Sequence, residues 1–162
     1  KEKIVQKNKE ELEYKKNKKV DIEDKAHSIK NCEKTILIVD DSEPAIIQLT
    51  DILKEDEYKV VIARDGVEAL KVINDVKPNA VVLDLMMPNI DGFQVLRTLR
   101  GDEKTADLPV LVLTAKYITK KDLEFLNGND VYQLIQKGDV SKKQLLTVIG
   151  GMFRSEMHNG NW

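Results

Sequence analysis

An α/β fold, a doubly wound five-stranded parallel sheet with helices on both faces, is what this sequence predicts, and three observations carry the prediction. From Thr35 onward, short apolar runs alternate strictly with amphipathic stretches, five times in succession, and such an alternation packs as a parallel sheet covered by helices. The central apolar runs are continuous instead of alternating polar with apolar, as strands buried on both faces must be. Four of the five end in polar or charged residues, Asp40-Asp41, Asp84, Thr114 and Lys137, at the carboxyl ends of strands where ligands enter such sheets.

Thr35 to Val39 is the first strand. Ser42 suits an N-cap with Pro44 in the first turn of the following helix, and Ile46, Leu49 and Leu53 recur at helical spacing. Tyr58 to Ala63 reads as the second strand. Asp65-Gly66 opens a helix whose apolar face is Ala69, Val72, Ile73 and Val76, and Lys77-Pro78 ends it because the residue before proline is pushed out of the helical region. Ala80 to Leu83 is the third strand, broken by Pro88. Asp91 then caps a helix buried through Val95, Leu96 and Leu99, with Gly101 closing it. Pro109 to Leu113 is the fourth strand, ending in Thr114. Thr119 to Asn127 is a weak helix with Leu123 and Leu126 inward and Gly128 as its stop, and Val131 to Gln136 is the last strand. Ser141 and Gln144 form a capping box for a final helix carrying Leu145, Val148, Ile149 and Met152. Right-handed crossovers leave few arrangements, and the simplest is the flavodoxin-like order 2-1-3-4-5 with its switch point between strands 1 and 3.

The flanks differ in texture. Residues 1–34 hold 11 Lys and 8 Asp or Glu, and their apolar residues are too sparse for a sustained helical stripe, so a charged linker or frayed helix is expected. His27 lies there as a surface residue. Residues 35–153 form the folded domain, and Arg154 to Trp162 lacks periodicity and is expected to be irregular. Lys1 in place of an initiator methionine predicts a fragment of a larger protein. A net charge of -2 and a pI near 5.8 give no electrostatic case for nucleic acid or an anionic membrane. Cys32, the single cysteine, cannot form an internal disulfide. With no apolar run near the roughly 18 to 20 residues that span a bilayer, a soluble, cytoplasmic chain is expected.

The order 2-1-3-4-5 gathers Asp40, Asp41, Asp84, Thr114 and Lys137 at one edge. Neighbouring strands lie about 4.8 Å apart, so three carboxylates share a space where they repel unless a cation enters. Their oxygens favour a hard ion such as Mg²⁺. A phosphoryl group on Asp84 fits such a site, with oxygens for the metal, the Thr114 hydroxyl and the Lys137 ammonium. An ionised carboxylate needs no base to act as nucleophile.

From Thr35 to about Phe153 the chain resembles the receiver domain of a two-component response regulator. The resemblance rests on Ile36-Leu37-Ile38-Val39-Asp40-Asp41, on Asp84-Leu85-Met86-Met87-Pro88-Asn89-Ile90-Asp91-Gly92, on Leu113-Thr114-Ala115 and on Lys137. It implies that Asp84 is the phosphoacceptor. Asp41, Asp84 and the backbone carbonyl of Met86 would bind Mg²⁺, with Asp40 acting through water. Thr114 and Lys137 would contact the phosphoryl group, which a histidine kinase or histidine phosphotransfer domain supplies. Phosphorylation would turn Thr114 inward and change the surface of helix 4, strand 5 and helix 5 for a downstream protein. Two residues depart from the family: Gly138 stands where proline usually follows the lysine, and a trans peptide is expected there. Leu134 stands where an aromatic usually couples to the threonine. The Lys137-Gly138 ending resembles receivers fused to hybrid sensor histidine kinases.

Taken singly, these residues have plain structural readings. Asp91 is a helix cap, Met87 is packing, Thr114 could be a strand residue and Lys137 a solvated charge. Two other functions compete with a phosphorylated switch. A Mg²⁺-dependent aspartyl phosphohydrolase needs an acid two residues after its nucleophile to protonate the leaving group, and position 86 is methionine. A pseudo-receiver that only binds partners would not need the complete set of site residues.

Overall fold

The computed structural model describes residues 34–138 and 140–158, the side chains of 155–158 excepted. The charged segment 1–33 with His27 and Cys32, and residues 159–162, lie outside the described residues. The elements alternate as β1 Thr35–Val39, α1 Glu43–Glu55, β2 Lys59–Ala63, α2 Gly66–Val76, β3 Ala80–Leu83, α3 Gly92–Gly101, β4 Val110–Thr114, α4 Lys120–Gly128, β5 Gln133–Gln136 and α5 Lys142–His158. All pairings are parallel and the sheet order is β2-β1-β3-β4-β5, as the sequence predicts.

The period of two along each strand divides the core. Leu37, Val39, Val81, Leu83, Val110 and Val112 face α2, α3 and α4, where Ala69, Ile73, Val95, Leu96, Leu99 and Leu126 are buried. Ile36, Ile38, Ala80, Val82, Leu111, Leu113 and Ile135 face α1 and α5 through Ile46, Leu49, Leu53, Leu145, Ile149 and Met152. Because both faces are covered, β1, β3 and β4 can be apolar almost throughout.

Several boundaries differ from the sequence reading. Tyr58 precedes β2 and is buried between the α1 and α5 layers, its ring 5.8 Å from that of Phe153. Pro109 has no N–H for the ladder, so β4 starts at Val110, although the Pro109 carbonyl still accepts from Val81 N at 2.9 Å. Val131 and Tyr132 precede β5, which is only Gln133–Gln136. Gly101 and Gly128 are the last helical residues and not the stops beyond them. Thr119 is an N-cap, in a reciprocal capping box with Asp122 that fixes where α4 begins. Leu123, expected inward, is 45% exposed. The face of α4 is set by Leu126 in the core and by Phe125, whose ring meets Phe93 of α3 edge-on at 5.6 Å, and this turns Leu123 outward. The irregular tail expected from Arg154 is corrected in part, because α5 continues to His158. No glycine or proline between Arg154 and His158 interrupts the backbone hydrogen bonding of the helix.

Candidate functional site

Strand register builds the site. Val39 pairs with Leu83, so Asp40 and Asp84 leave the sheet side by side, and Asp84 N donates to Val39 O at 2.9 Å. Thr114 pairs with Gln136, which places Lys137 one residue further along the same edge, its N–H on Thr114 O at 2.8 Å. Asp40, Asp84 and Thr114 are the buried polar residues among those described, while Asp41 is exposed.

Buried carboxylates are held by donors, since an unpaired one would be costly. Asp84 Oδ1 accepts from Thr114 Oγ1 at 2.9 Å and from Met86 N at 3.2 Å, and Oδ2 lies 3.2 Å from Lys137 Nζ. Asp40 Oδ2 pairs with the same ammonium at 2.5 Å, and its Oδ1 accepts from Ser42 N at 2.9 Å. Ser42 therefore has the backbone of an N-cap, but its side chain caps nothing and its amide serves Asp40. One lysine bridges two acids. Burial pulls its pKa down, but the bond to Asp40 and the charges of Asp84 and Asp40 outweigh that and hold it above the ordinary lysine value. Burial pushes Asp40 upward, with the nearby Asp84 charge adding to it, against the lowering effects of Lys137 and Ser42 N. One oxygen from each of Asp40, Asp41 and Asp84 lies within 4.8 Å of the others.

Backbone geometry closes the site from below. A Cβ on Gly92 would sit 2.3 Å from the Asp84 carbonyl oxygen, so only glycine lets α3 begin this close to the strand end. Gly92 N also donates to Leu85 O at 3.2 Å, and Asp91 caps the helix through Gln94 N at 3.0 Å. Asp91 is thus the cap that was expected. Its neighbour Gly92 was not singled out by the sequence, where Asp-Gly reads only as a helix start. Met86 gives its amide to Asp84 while its side chain stands in solvent, and Met87 is packed in the core.

The peptide after Lys137 is trans, as expected, and Gly138 takes φ +96° with open space around it. Glycine is used there for its backbone freedom. Leu134 packs partly buried against the α2–α4 side of the core, in register with Val112. Tyr132 is half exposed, with its hydroxyl only 2.6 Å from where a Cβ on Gly151 of α5 would stand.

A second residue missed in the sequence is Lys116. Its N–H donates to Thr114 Oγ1 at 3.2 Å and its Nζ pairs with Asp122 at 2.5 Å. That bond, with the Thr119 N–H, lowers the Asp122 pKa to about 2. The signal was legible only as a lysine six residues before an acid, across a loop of unknown shape.

Among the described residues, no helix is long and apolar enough to cross a membrane. The family description "Response regulator receiver domain" matches residues 36–149. The chain is 46% identical over 99 residues to the DNA-binding dual master transcriptional regulator RpaA of Synechocystis, a match covering 60% of this chain and 41% of that one. It is 51% identical over 83 residues to the response regulator MprA of Mycobacterium sp. strain KMS, covering 50% and 34% respectively. These matches thus span less than half the length of either relative. Among solved structures, it resembles the signal receiver domain of a histidine kinase from Syntrophus aciditrophicus, with a TM-score of 0.69 and 26% identity, covering 75% of this chain and 91% of that one. Members of this family take phosphoryl groups from histidine kinases, and Mg²⁺ binding at an acidic pocket is general among them. The strand order, the acidic cluster beside Lys137 and Thr114, and these likenesses together place the chain in the response regulator receiver domain family.

Proposed function

We propose that Asp84 accepts a phosphoryl group from a phosphohistidine on a histidine kinase or histidine phosphotransfer domain, and that the acidic edge binds Mg²⁺ for this transfer. The observation that carries the reading is the setting of Asp84, with Lys137 and Thr114 on its two oxygens and the Asp40 and Asp41 carboxylates beside it. The donor set fits a hard ion: three carboxylates offer oxygens within 4.8 Å, with no nitrogen or sulfur ligand in the group. Asp41, Asp84 and the Met86 carbonyl would hold the ion directly and Asp40 through water. When bound, Mg²⁺ neutralises charge on the carboxylates and on the incoming phosphoryl oxygens.

The chain's own residues do the rest. A carboxylate oxygen of Asp84 bonds to phosphorus as the P–N bond of the phosphohistidine breaks, and the imidazole leaves with the bonding pair. Lys137, held cationic at neutral pH, balances charge on the phosphoryl oxygens, and Thr114 donates a hydrogen bond. Water later cleaves the acyl phosphate, so the domain turns over only its own modification. The switched surface is that of α4, β5 and α5, where Tyr117 is 85% exposed on the loop before α4 and Leu123 and Tyr132 add apolar area. It would dock a downstream protein in the cytoplasm. The Lys137-Gly138 ending favours a hybrid histidine kinase as the parent chain, and RpaA and MprA favour a response regulator with an output domain.

Incubation with Mg²⁺ and acetyl phosphate, followed by intact mass measurement, tests the reading. One added phosphoryl group on the wild type and none on Asp84→Asn supports it. No gain on either, together with no response to beryllofluoride, leaves a pseudo-receiver that only binds partners.

A further inference from the structure

The Thr114 hydroxyl donates to Asp84 Oδ1 at 2.9 Å and is itself fully buried. Its oxygen has a second contact. Lys116 N donates to it at 3.2 Å, so a change in what the hydroxyl binds acts on the backbone of residue 116. From there the contacts lead outward. Lys116 Nζ pairs with Asp122 in the first turn of α4 and bonds the Tyr117 carbonyl at 3.2 Å. The same ammonium lies 5.7 Å from the ring centre of Phe93, which meets Phe125 of α4 edge-on, and Arg97 caps the far ring at 5.2 Å. Finally, the Lys116 carbonyl accepts from Gln136 Nε2 at 3.2 Å, next to Lys137.

No other side chain among the described residues joins the threonine to α4 in this way. Leu134 is apolar and packed against the core, so it offers no group to the hydroxyl. Resting on the reading of Asp84 as phosphoacceptor, we propose that Lys116 is a positioning residue that transmits the state of Thr114 to α4, through its ion pair with Asp122 and its seat over Phe93. Phosphorylation of Asp84 replaces the carboxylate under the Thr114 hydroxyl by a phosphoryl group. The hydroxyl re-aims, the amide of Lys116 follows, and the ammonium moves the first turn of α4, which exposes or covers Tyr117 and Leu123. The aliphatic stem and ammonium are both needed, one to lie on the ring and one to hold the acid.

The test uses amide NMR of the full chain with Mg²⁺, before and after beryllofluoride, on wild type, Lys116→Met and Lys116→Arg. Methionine keeps the backbone N–H on Thr114 and an unbranched stem near Phe93, and removes the ammonium with its bonds to Asp122 and to the Tyr117 carbonyl. The expected result in the wild type is a shift at Met86 and Thr114 and a second shift across Leu123 to Leu126. Lys116→Met retains the first and loses more than half of the second, and Lys116→Arg restores it. An α4 response of wild-type size in Lys116→Met overturns the proposal. So does loss of both responses in that variant, because the lysine would then serve the site and not the link. A wild type silent at Met86 and Thr114 removes the receiver reading itself, an outcome distinct from a site that responds while α4 behaves identically in all three proteins.

Discussion

Replacing Asp41 by asparagine should stabilise the metal-free domain and abolish its stabilisation by Mg²⁺, two effects of opposite sign from one substitution. In the site, Asp41 contributes an oxygen within 4.8 Å of oxygens of both Asp40 and Asp84. Lys137 pairs with those two acids and has no ion pair with Asp41. Two unit charges at 4.8 Å repel by about 0.9 kcal/mol in bulk water and about 3.5 kcal/mol at an effective dielectric near 20. Because Asp41 is exposed, the lower figure applies to each pair, and the longer-range attraction of Lys137 offsets part of the total. Relief of about 1 kcal/mol remains, or roughly 4 °C in Tm for a domain of this size. Magnesium at about ten times its Kd adds about 1.4 kcal/mol to the wild type by mass action, and this increment vanishes when a ligand is lost. Thermal melts of both proteins in EDTA and in a Mg²⁺ series measure both effects, at fixed ionic strength so that screening is constant. A lower Tm for Asp41→Asn in EDTA, or an undiminished response to Mg²⁺, would refute the reasoning that these carboxylates form a strained cation site.

Gly92→Ala should cost about 1 to 3 kcal/mol in urea unfolding, since the new methyl meets the Asp84 carbonyl oxygen at 2.3 Å and must push the strand end or α3 away; an unchanged midpoint would show that the approach is not fixed. Arg100→Met should destabilise by about 2 kcal/mol, because the guanidinium of Arg100 donates to the carbonyls of Asn129 at 2.8 Å, Leu108 at 2.9 Å, Asp130 at 3.2 Å and Thr105 at 3.3 Å. The phosphorylation rate with acetyl phosphate serves as control there, and should stay within about twofold of wild type because these contacts lie at the opposite edge of the sheet. The raised pKa of Lys137 fixes a third sign. A group titrating higher in the folded than in the unfolded chain stabilises fully below its unfolded value and loses that contribution as pH rises through the folded one. Wild type and Lys137→Met should therefore differ in stability by a constant amount at neutral pH and converge only above the ordinary lysine value of 10.5, as chemical denaturation at a series of pH values would measure. A difference that disappears between pH 6 and pH 8 would contradict it.

The residues of the candidate site were legible in the sequence because they sit at strand ends. A continuous apolar run identifies a buried strand, its last residue lies at the sheet edge, and parallel order brings the edges together, so Asp40, Asp84, Thr114 and Lys137 could be placed from one-dimensional information. Three helix starts were legible for a similar reason, although Ser42, expected to cap α1, makes no side-chain cap bond. Asp65, Asp91 and Ser141 each accept from a backbone N–H three residues on, a contact confined to one turn. Element ends were less so, since the helix stop at Gly101 and the outward turn of Leu123 depend on packing partners far away in the chain.

The sequence by itself thus determined the fold class, the strand order and the acids, hydroxyl and ammonium of the site, because periodicity and strand termini are local properties. Only the tertiary structure decided how these groups share their bonds. That one ammonium serves Asp40 and Asp84 together, that Gly92 must lack a side chain because α3 starts against Asp84, and that Lys116 joins Thr114 to Asp122 all follow from distances across connections of up to 97 residues, the separation of Asp40 from Lys137. No local pattern encodes such distances. They are set when the two helical layers close on the sheet and fix, to within a hydrogen bond's tolerance, where each strand end lies.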